Sequence, residues 1–320
     1  MNEFSLIEHF FQLPAITRKE VIVGIGDDAA CVTIPLGCQL LITTDSLVQG
    51  THFLADWEPY DLAFKAVMVN ISDIAAMAGK PCWALLSLTM PSPDQIWLTE
   101  FAKGLHTALR QFSVALIGGN IARGPLNITI TMHGLVPSGK ALLRKNAKSG
   151  DLIYISGQLG AAALALTMQD NFANRQDHKD DYVVIRHKLT RPLPRVDLIV
   201  ILQQYASAAI DLSDGLCADL AHICTASKVG ALLHLDTIPI HELVLKYNKE
   251  HALSLALSGG DDYELCFTVP PAKKQKLLAS LQELGLRCYL IGAIEKKIGI
   301  RGKTKDGTLL TLQTAGYKHF

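Results

Sequence analysis

Apolar, strand-like runs in this chain end repeatedly at aspartate. Residues 21–30 read VIVGIGDDAA and place Asp27 directly after two glycines. The run QLLITTDS leads to Asp45, and SAAIDLSDG supplies Asp211 and Asp214. Carboxylates gathered at strand ends repel one another unless they are neutralised, and a hard divalent cation suits such an all-oxygen ligand set. The pattern predicts an α/β fold that binds a divalent metal and, beside glycine-rich loops, a phosphate.

A further aspartate lies within a predicted helix. The segment 61–78 has helical periodicity with Asp61 as its N-cap, and Asp73 falls on the apolar stripe of this helix. A carboxylate on such a stripe is costly unless it is paired, and Lys65 or Asn70 offers a purely structural partner. The aspartates at the strand ends outnumber the nearby lysines and arginines, however, which favours a shared metal ion.

The ligand types indicate which metal is expected. The sequence contains no H-E-x-x-H motif and no C-x-x-C pair, which argues against zinc. Thr43 and Thr44 precede Asp45 and add hydroxyl oxygens, so Mg²⁺ or Mn²⁺ is favoured. Some of these residues also have simpler interpretations, Asp28 as a turn residue and Asp214 as a helix N-cap.

Phosphate binding would have to occur without a P-loop, because no G-x-x-x-x-G-K-[ST] motif is present. Glycine turns at 118–119, 157–160 and 259–260 follow apolar runs, and each is either a backbone cradle for phosphate or a tight turn. Three side chains are candidates to meet phosphate oxygens, with surface charge or a core histidine as the alternative: Arg123, Arg144 and His52.

Composition limits the classes of function. The 30 Lys and Arg residues balance 30 Asp and Glu residues, which argues against a general nucleic-acid or membrane-surface binder. The acidic N-terminus differs from a signal peptide and no apolar run would span a bilayer, so a cytoplasmic protein is expected. The seven cysteines form no C-x-x-C and are expected to be reduced core residues.

The chain is long enough for about two domains. Glycine-flanked, basic residues at 138–151 mark the expected junction, and the polar segment 170–181 is expected to be a surface loop. Pro93 and Asp94 are predicted to open an amphipathic helix. Both halves contain an apolar strand, an aspartate pair and a following helix, which indicates two α/β domains that face one site.

Several motifs together resemble the thiamine-monophosphate kinase family. They run in order from about residue 3 to residue 320 and include GIGDDAA, TTDSLVQGTHF, AFKAVMVNISDIAAMAGKP, LIGGNIARGP, LRKNAKSGDLIYISGQLG, IDLSDGLCADLAHI, LSGGDDYELCFTV and GYKHF. The resemblance implies transfer of the γ-phosphoryl group of ATP to thiamine monophosphate, which gives thiamine diphosphate. It also implies membership of the wider superfamily of aminoimidazole ribonucleotide synthetase.

The fold implied by the resemblance is a two-domain, PurM-like fold of the α/β (α+β) class. Residues 1–139 would form the N-terminal domain, which binds ATP and Mg²⁺ and pairs its sheet with that of a second copy in a homodimer barrel. Residues 140–320 would form a C-terminal α/β domain, with ATP between the domains.

The resemblance also implies a set of site residues and no covalent nucleophile. Several Mg²⁺ ions would be held by Asp27, Thr43, Thr44, Asp45, Asp73, Asn120, Asp211 and Asp214. The co-substrate ATP would contact Gly119, Asn120, Arg144 and Ser213. Thiamine monophosphate would contact His52, Asp261 and Tyr317, with Phe320 as the alternative to Tyr317.

The chain departs from the family pattern at two of these positions. Asn120 stands where an Mg²⁺-binding Asp is usual, so one negative charge is missing, and Asp261 is one methylene shorter than the usual Glu. Two other functions therefore stay open: a non-catalytic or weakly active nucleotide-binding paralogue, and another ATP-using enzyme of the superfamily. Selenide chemistry is disfavoured because the first cysteine, Cys31, follows the Gly-Asp-Asp turn.

Overall fold

The chain divides into two compact units, which are described separately. The computed structural model describes residues 3–12, 16–172, 179–314 and 316. One unit comprises Met1–Ala75 and Gly79–Ala141, and the other comprises Ala76–Ala78 and Leu142–Phe320. None of the helices in this described part is long and apolar enough to span a bilayer.

The first unit is built on a four-stranded sheet. Its strands and α-helices are α1 (Glu3–Leu6), β1 (Val21–Val23), β2 (Cys31–Val32), β3 (Cys38–Val48), α2 (Pro59–Ala76), β4 (Lys80–Met90), α3 (Gln95–Gln111), β5 (Ala115–Arg123) and β6 (Asn127–Pro137). The sheet has the order β3-β6-β4-β5. The neighbouring strands β4 and β5 run parallel because helix α3 connects them, whereas the other two pairs are antiparallel. A separate hairpin pairs β1 with β2.

Alternation along β6 shows how this sheet divides its two faces. Ile128, Ile130 and Met132 are fully buried, whereas the intervening residues are partly exposed. The buried face packs on α2, whose Ile74 side chain lies against Gly134. Helix α2 is buried on nearly its whole circumference, including the polar residues Lys65, Asn70 and Ser72, so it forms the centre of the unit's core.

The boundaries of the two long helices of this unit agree only in part with those predicted from the sequence. Asp94 is the N-cap of α3, as predicted, because its side chain accepts hydrogen bonds from the N–H groups of Ile96 and Trp97 at 2.8 and 3.1 Å. The prediction that Asp61 caps α2 is wrong. The helix begins at Pro59, the Leu62 N–H donates to the Glu58 carbonyl, and Asp61 is buried in the first turn.

The second unit contains a seven-stranded sheet. Its strands are β7 (Leu152–Ile155), β8 (Ala208–Asp211), β9 (Gly230–His234), β10 (Leu265–Val269), β11 (Tyr289–Glu295), β12 (Gly299–Lys303) and β13 (Leu309–Thr311). The sheet has the order β13-β12-β9-β11-β7-β10-β8, in which β9 and β12 run parallel. Its helices are α4 (Ala161–Phe172), α5 (Lys179–Thr190), α6 (Ile199–Tyr205), α7 (Leu216–Ser227), α8 (Glu242–Tyr247), α9 (Ala252–Ser258) and α10 (Lys274–Glu283).

Helices cover both faces of this second sheet. One core cluster joins Ile153 and Ile155 to Leu220 of α7, and the other joins Tyr154 to Leu277 of α10. Strands buried on both faces read as continuous apolar runs, which explains why β8 and β10 show no polar alternation.

The structure also bears on the expectations for the segment 170–181 and for the cysteines. The segment 170–181, expected to be a surface loop, overlaps the end of α4 and the start of α5, and its residues 173–178 lie outside the described part of the chain. The seven cysteines are thiols, and four are buried, whereas Cys31 is exposed.

The close approach of α2 and α3 gives a test of this packing. A Cβ atom on Gly104 of α3 would lie 2.8 Å from the Cα atom of Tyr60 and would collide with the Tyr60 carbonyl. Gly104→Ala gains about 1 kcal/mol in helix propensity, but overpacking costs roughly 1–3 kcal/mol. We expect a lower thermal unfolding midpoint than for the wild type, whereas Lys103→Ala at the exposed neighbouring position should leave it nearly unchanged. A higher midpoint for Gly104→Ala would contradict this packing.

Candidate functional site

Two carboxylates and a hydroxyl meet inside the first unit. Thr43 and Asp45 lie two residues apart on β3, so their side chains share the sheet face that α2 covers. The Thr43 hydroxyl donates a hydrogen bond of 2.5 Å to Oδ2 of Asp73 on α2. Burial, and then the negative charge of Asp73, raise the pKa of Asp45 from 3.8 to about 6. At neutral pH the site therefore carries negative charge that burial and repulsion make unfavourable.

Thr44 does not join this group through its hydroxyl. Its side chain lies on the opposite face of β3, where the hydroxyl donates to the Ile130 carbonyl at 3.2 Å and lies 3.1 Å from the Thr131 hydroxyl. The two consecutive threonines were expected to ligate a metal together. The period of two residues along a strand directs their hydroxyls to opposite faces of the sheet instead.

A second group of predicted residues lines a cavity of about 1100 Å³ in the same unit. Asp27 and Asp28 follow β1 on an exposed loop, and the Asp28 N–H donates to the Asp27 carboxylate at 2.8 Å. Gly119 and Asn120, at the end of β5, line the same cavity. A Cβ atom at Gly119 would collide with the Leu86 carbonyl of β4, so strand packing alone requires a glycine here.

His52 is held in a defined tautomer by the turn after β3. The backbone N–H of Val48 donates to Nδ1 of His52 at 3.1 Å, so this nitrogen carries no proton. The proton is therefore on Nε2, which makes that atom a hydrogen-bond donor. The histidine is partly exposed, in contrast to a fully buried core histidine.

In the second unit two loops carry the predicted residues side by side. The loop 212–215 follows β8, which ends at the buried Asp211, and the loop 259–263 precedes β10. The Asp261 N–H donates to the Ser213 carbonyl at 2.9 Å, and the Tyr263 N–H donates to the Leu212 carbonyl at 2.9 Å. These bonds bring Asp211, Ser213, Asp214 and Asp261 into one region of the unit.

Asp219 was not predicted, yet it supports the first of these loops. Its buried carboxylate accepts hydrogen bonds from the N–H groups of Asp214 and Gly215 at 3.0 and 3.1 Å. Burial raises the pKa of Asp219 to about 7, against the lowering effect of these backbone donors. The sequence signal was present, because Asp219 interrupts the apolar helix LCADLAHI.

The glycine turn at 157–160 holds two carboxylates of the chain itself. A Cβ atom at Gly157 would fall onto the Glu264 carboxylate, and Gly160, whose φ of 88° favours glycine, donates its N–H to Asp262 at 3.0 Å. Burial raises the pKa of Asp262 well above its usual range, and the charges of Glu264 and Asp261 add to this effect. These contacts account for both glycines without a bound phosphate.

The remaining predicted residues are Arg144, which the structure describes, and Tyr317 with its alternative Phe320. Arg144 is exposed, and its carbonyl accepts a hydrogen bond of 2.7 Å from the Ser227 hydroxyl. Tyr317 and its alternative Phe320 lie outside the described residues. Gly316 is described, and a Cβ atom on it would lie 3.0 Å from the Cβ atom of Asp214.

Comparisons with known proteins identify the family. The models for AIR synthase related protein match at residues 26–136, for the N-terminal domain, and at residues 148–304, for the C-terminal domain. Thiamine-monophosphate kinase from Escherichia coli K12 is 45% identical over 321 residues, which cover 100% of this chain and 98% of the relative. This chain belongs to the thiamine-monophosphate kinase family.

Solved structures of the thiamine-monophosphate kinase family have the same fold. The enzyme from Stenotrophomonas maltophilia K279a has a TM-score of 0.84 and 39% identity, and the match covers 90% of this chain and 92% of that one. AaThiL complexed with AMPPCP and TMP has a TM-score of 0.77 and 30% identity, with 90% and 89% covered. The expected two-domain fold of mixed α/β content is therefore confirmed.

Metal binding at the predicted residues would depend on substrate oxygens as well as on protein oxygens. Within residues 3–12, 16–172, 179–314 and 316, no group of three or more His, Cys, Asp or Glu side chains is arranged to hold a metal ion. Mg²⁺ sites in phosphoryl-transfer enzymes commonly use one or two carboxylates together with phosphates of the substrate. The Asp45 and Asp73 pair, with the Thr43 hydroxyl, fits a site of that kind.

The carboxylate pair predicts a pH-dependent stability of the protein in EDTA. Because the pKa of Asp45 rises from 3.8 to about 6 on folding, the folded state binds the proton more tightly than the unfolded state. Stability should therefore fall as the pH rises from about 4 to about 6, and the loss persists above that range.

Asp45→Asn should remove this loss and raise the free energy of unfolding by roughly 1–3 kcal/mol at about pH 8, with little effect near pH 4. Chemical denaturation at both pH values measures the difference. Asp56→Asn, at an exposed position of the same unit, is the control. Equal effects of the two substitutions at pH 8 would show that neither burial nor the charge of Asp73 penalises the ionised Asp45 side chain.

Proposed function

We propose that the chain transfers the γ-phosphoryl group of ATP directly to the phosphate of thiamine monophosphate and so forms thiamine diphosphate. The full-length match to thiamine-monophosphate kinases carries this proposal. The likeness to a relative in complex with AMPPCP and TMP supports a site that accepts an ATP analogue and a second ligand together. Location in the cytoplasm stays a prediction from the sequence.

The mechanism follows from the charge of the reactants. The acceptor is itself a phosphate and is largely ionised at neutral pH, so no strong base is needed to activate it. Two unit charges of like sign at ~4 Å repel by about 4 kcal/mol at an effective dielectric constant of 20. Catalysis therefore depends on neutralising and aligning two anions, and the transfer proceeds in line with no phosphoenzyme.

The aspartates would hold the divalent ions that neutralise this charge. Bound Mg²⁺ supplies positive charge to the phosphate oxygens and thereby lowers the repulsion between them. Asp45 and Asp73 already repel each other, and a cation between them would relieve this strain. The proposed ligands are the oxygen atoms of Asp27, Thr43, Thr44, Asp45, Asp73, Asn120, Asp211 and Asp214. Because the Thr44 hydroxyl is engaged with Thr131 on the opposite face of β3, Thr44 would have to offer its backbone carbonyl. Asn120 offers an uncharged carbonyl.

The remaining site residues would bind the two substrates. ATP would contact Gly119, Asn120, Arg144 and Ser213. The acceptor would contact His52, Asp261 and Tyr317. The Nε2–H group of His52 suits a phosphate oxygen, because Nδ1 is already occupied as an acceptor. Asp261 has a positive φ of 65°, a conformation in which Asp is far better tolerated than most residues, which gives a physical reason for the shorter acid at this position.

The first unit would also form the subunit contact of a homodimer. Large apolar side chains are exposed on its sheet and on the preceding segment, among them Ile22, Leu36 and Ile42, with Ile42 61% exposed on β3. Burying such side chains against a second copy is favourable. We therefore assign dimerisation to residues 1–139, which would also supply most of the proposed Mg²⁺ ligands and part of the ATP contacts, with 140–320 as the C-terminal α/β domain.

Product analysis tests the proposed reaction. The purified protein mixed with MgATP and thiamine monophosphate should yield thiamine diphosphate and ADP in equal amounts, and single-turnover mixing should trap no phosphorylated protein. Asp73→Asn, which removes a charge from the proposed metal site, should lower the rate by at least about a hundredfold. Asp56→Asn is the matched control. The absence of product would favour a nucleotide-binding paralogue, and a phosphoprotein intermediate would refute direct transfer.

Sedimentation equilibrium tests the proposed dimer. One chain has a mass of 34.8 kDa, and the measured mass of the protein in solution should be twice this value. Ile42→Asp places a charge on the exposed sheet face and should shift the equilibrium toward monomer. A monomeric wild type at micromolar concentration would rule out a stable homodimer.

A further inference from the structure

The loop that carries Asp261 has a backbone that local preferences do not favour. Asp261 and Tyr263 both have positive φ, at 65° and 49°. Such left-handed conformations cost roughly 1–2 kcal/mol for most residues other than glycine, so Tyr263 bears more of this cost than the better tolerated Asp261. Three carboxylates also fall within four residues, at Asp261, Asp262 and Glu264. Contacts with the rest of the unit must therefore impose this conformation.

Glu264 anchors the end of the loop to two distant segments. The Ser156 hydroxyl donates a hydrogen bond of 2.5 Å to Oε2 of Glu264, and Nη1 of Arg195 donates to the same oxygen at 3.1 Å. The Leu265 N–H donates to the Ser156 hydroxyl at 2.7 Å, so this hydroxyl ties the start of β10 to the carboxylate. The side chains of Arg195 and Glu264 are only 17% and 16% exposed.

Arg195 is itself held rigidly. Its Nε and Nη2 atoms donate to the two carboxylate oxygens of Asp197 at 3.1 and 2.9 Å, and Nη1 also donates to the Ser156 carbonyl. Burial disfavours the guanidinium charge, but the hydrogen bonds and negative charges of Asp197 and Glu264 outweigh it and raise the pKa of Arg195. Pro194 restricts the preceding backbone. Arg195 therefore presents a fixed positive charge to Glu264.

The charge of Arg195 has a specific consequence for the loop. The charges of Glu264 and Asp261 both raise the pKa of the buried Asp262, whereas the charge of Lys188 lowers it. Removal of Arg195 would leave Glu264 as a largely buried carboxylate without this counter-charge, and its tie through Ser156 to the start of β10 would loosen. The adjacent loop 212–215 has a support of its own, the Asp219 carboxylate.

We propose that Arg195, acting through Glu264 and Ser156, is a positioning residue that holds the 259–263 loop so that Asp261 meets the phosphate acceptor substrate. The proposal rests on the proposed function, because that function assigns Asp261 to the acceptor. It assigns no contact between Arg195 and the reacting phosphates. Loss of Arg195 should thus weaken binding of thiamine monophosphate much more than binding of ATP.

Binding and kinetics of the full-length chain test this inference. Arg195→Gln should raise the Kd and KM for thiamine monophosphate by at least about tenfold, with the KM for ATP and kcat changed by no more than about threefold. Arg195→Lys keeps the charge and should recover part of the affinity. Arg287→Gln removes an exposed arginine of the same unit and should stay within about twofold of the wild type.

A double-substitution cycle shows whether Arg195 acts through Glu264. In a Glu264→Gln background, Arg195→Gln should have little further effect on the Kd for thiamine monophosphate. Multiplying effects, or a fall in kcat at unchanged Kd, would overturn the proposal. If Arg195→Gln does not fold, Ser156→Ala takes its place, and an unchanged Kd would then overturn it. A wild type that binds thiamine monophosphate but forms no product would refute the proposed function and not this inference.

Discussion

Negative charges held close together are the constraint on which the rest of this structure depends. In the first unit, β3 and α2 bring Asp45 and Asp73 near each other inside the fold, where burial and mutual repulsion raise the pKa of Asp45 to about 6. A polar site of this kind persists in a protein only if something outweighs its cost. Bound divalent cations would do so, and the same cations would allow two phosphate-bearing substrates to approach each other.

The second unit manages its acids in a different way. Asp219 accepts N–H groups of the 212–215 loop, Asp262 accepts the N–H of Gly160, and Glu264 is held by Ser156 and Arg195. These three carboxylates hold nearby loops in place through hydrogen bonds within the protein. The distinction matters for function. A carboxylate whose hydrogen bonds all come from the protein fixes the shape of the site, whereas a carboxylate that faces a bound cation can neutralise its charge.

The sequence predicted the residues whose roles depend on local pattern. The helix around Asp73 and the cap at Asp94 follow from spacing within single segments, and the strand-end position of Asp211 follows from an apolar run. The opposite orientations of Thr43 and Thr44 could also have been read from the strand period. The family motifs supplied the reaction and the substrate, which no residue pattern alone would have indicated.

The residues that were missed depend on pairing between distant segments. Ser156 and Glu264 are 108 positions apart, and Arg195 and Glu264 are 69 apart. No local sequence pattern around these residues predicts the two contacts. The glycine turn at 157–160 was equally ambiguous. A turn that cradles a phosphate and a turn that accommodates a carboxylate of the same chain have similar sequences, and tertiary structure distinguishes them.

Anomalous diffraction from crystals grown with Mn²⁺ and a non-hydrolysable ATP analogue would test the central claim most directly. Mn²⁺ prefers the same oxygen ligands as Mg²⁺ and can be located by its scattering. We expect a manganese peak in contact with the carboxylates of both Asp45 and Asp73. No peak there, together with a direct hydrogen bond between the two carboxyl groups, would show that a shared proton and not a metal ion relieves their repulsion.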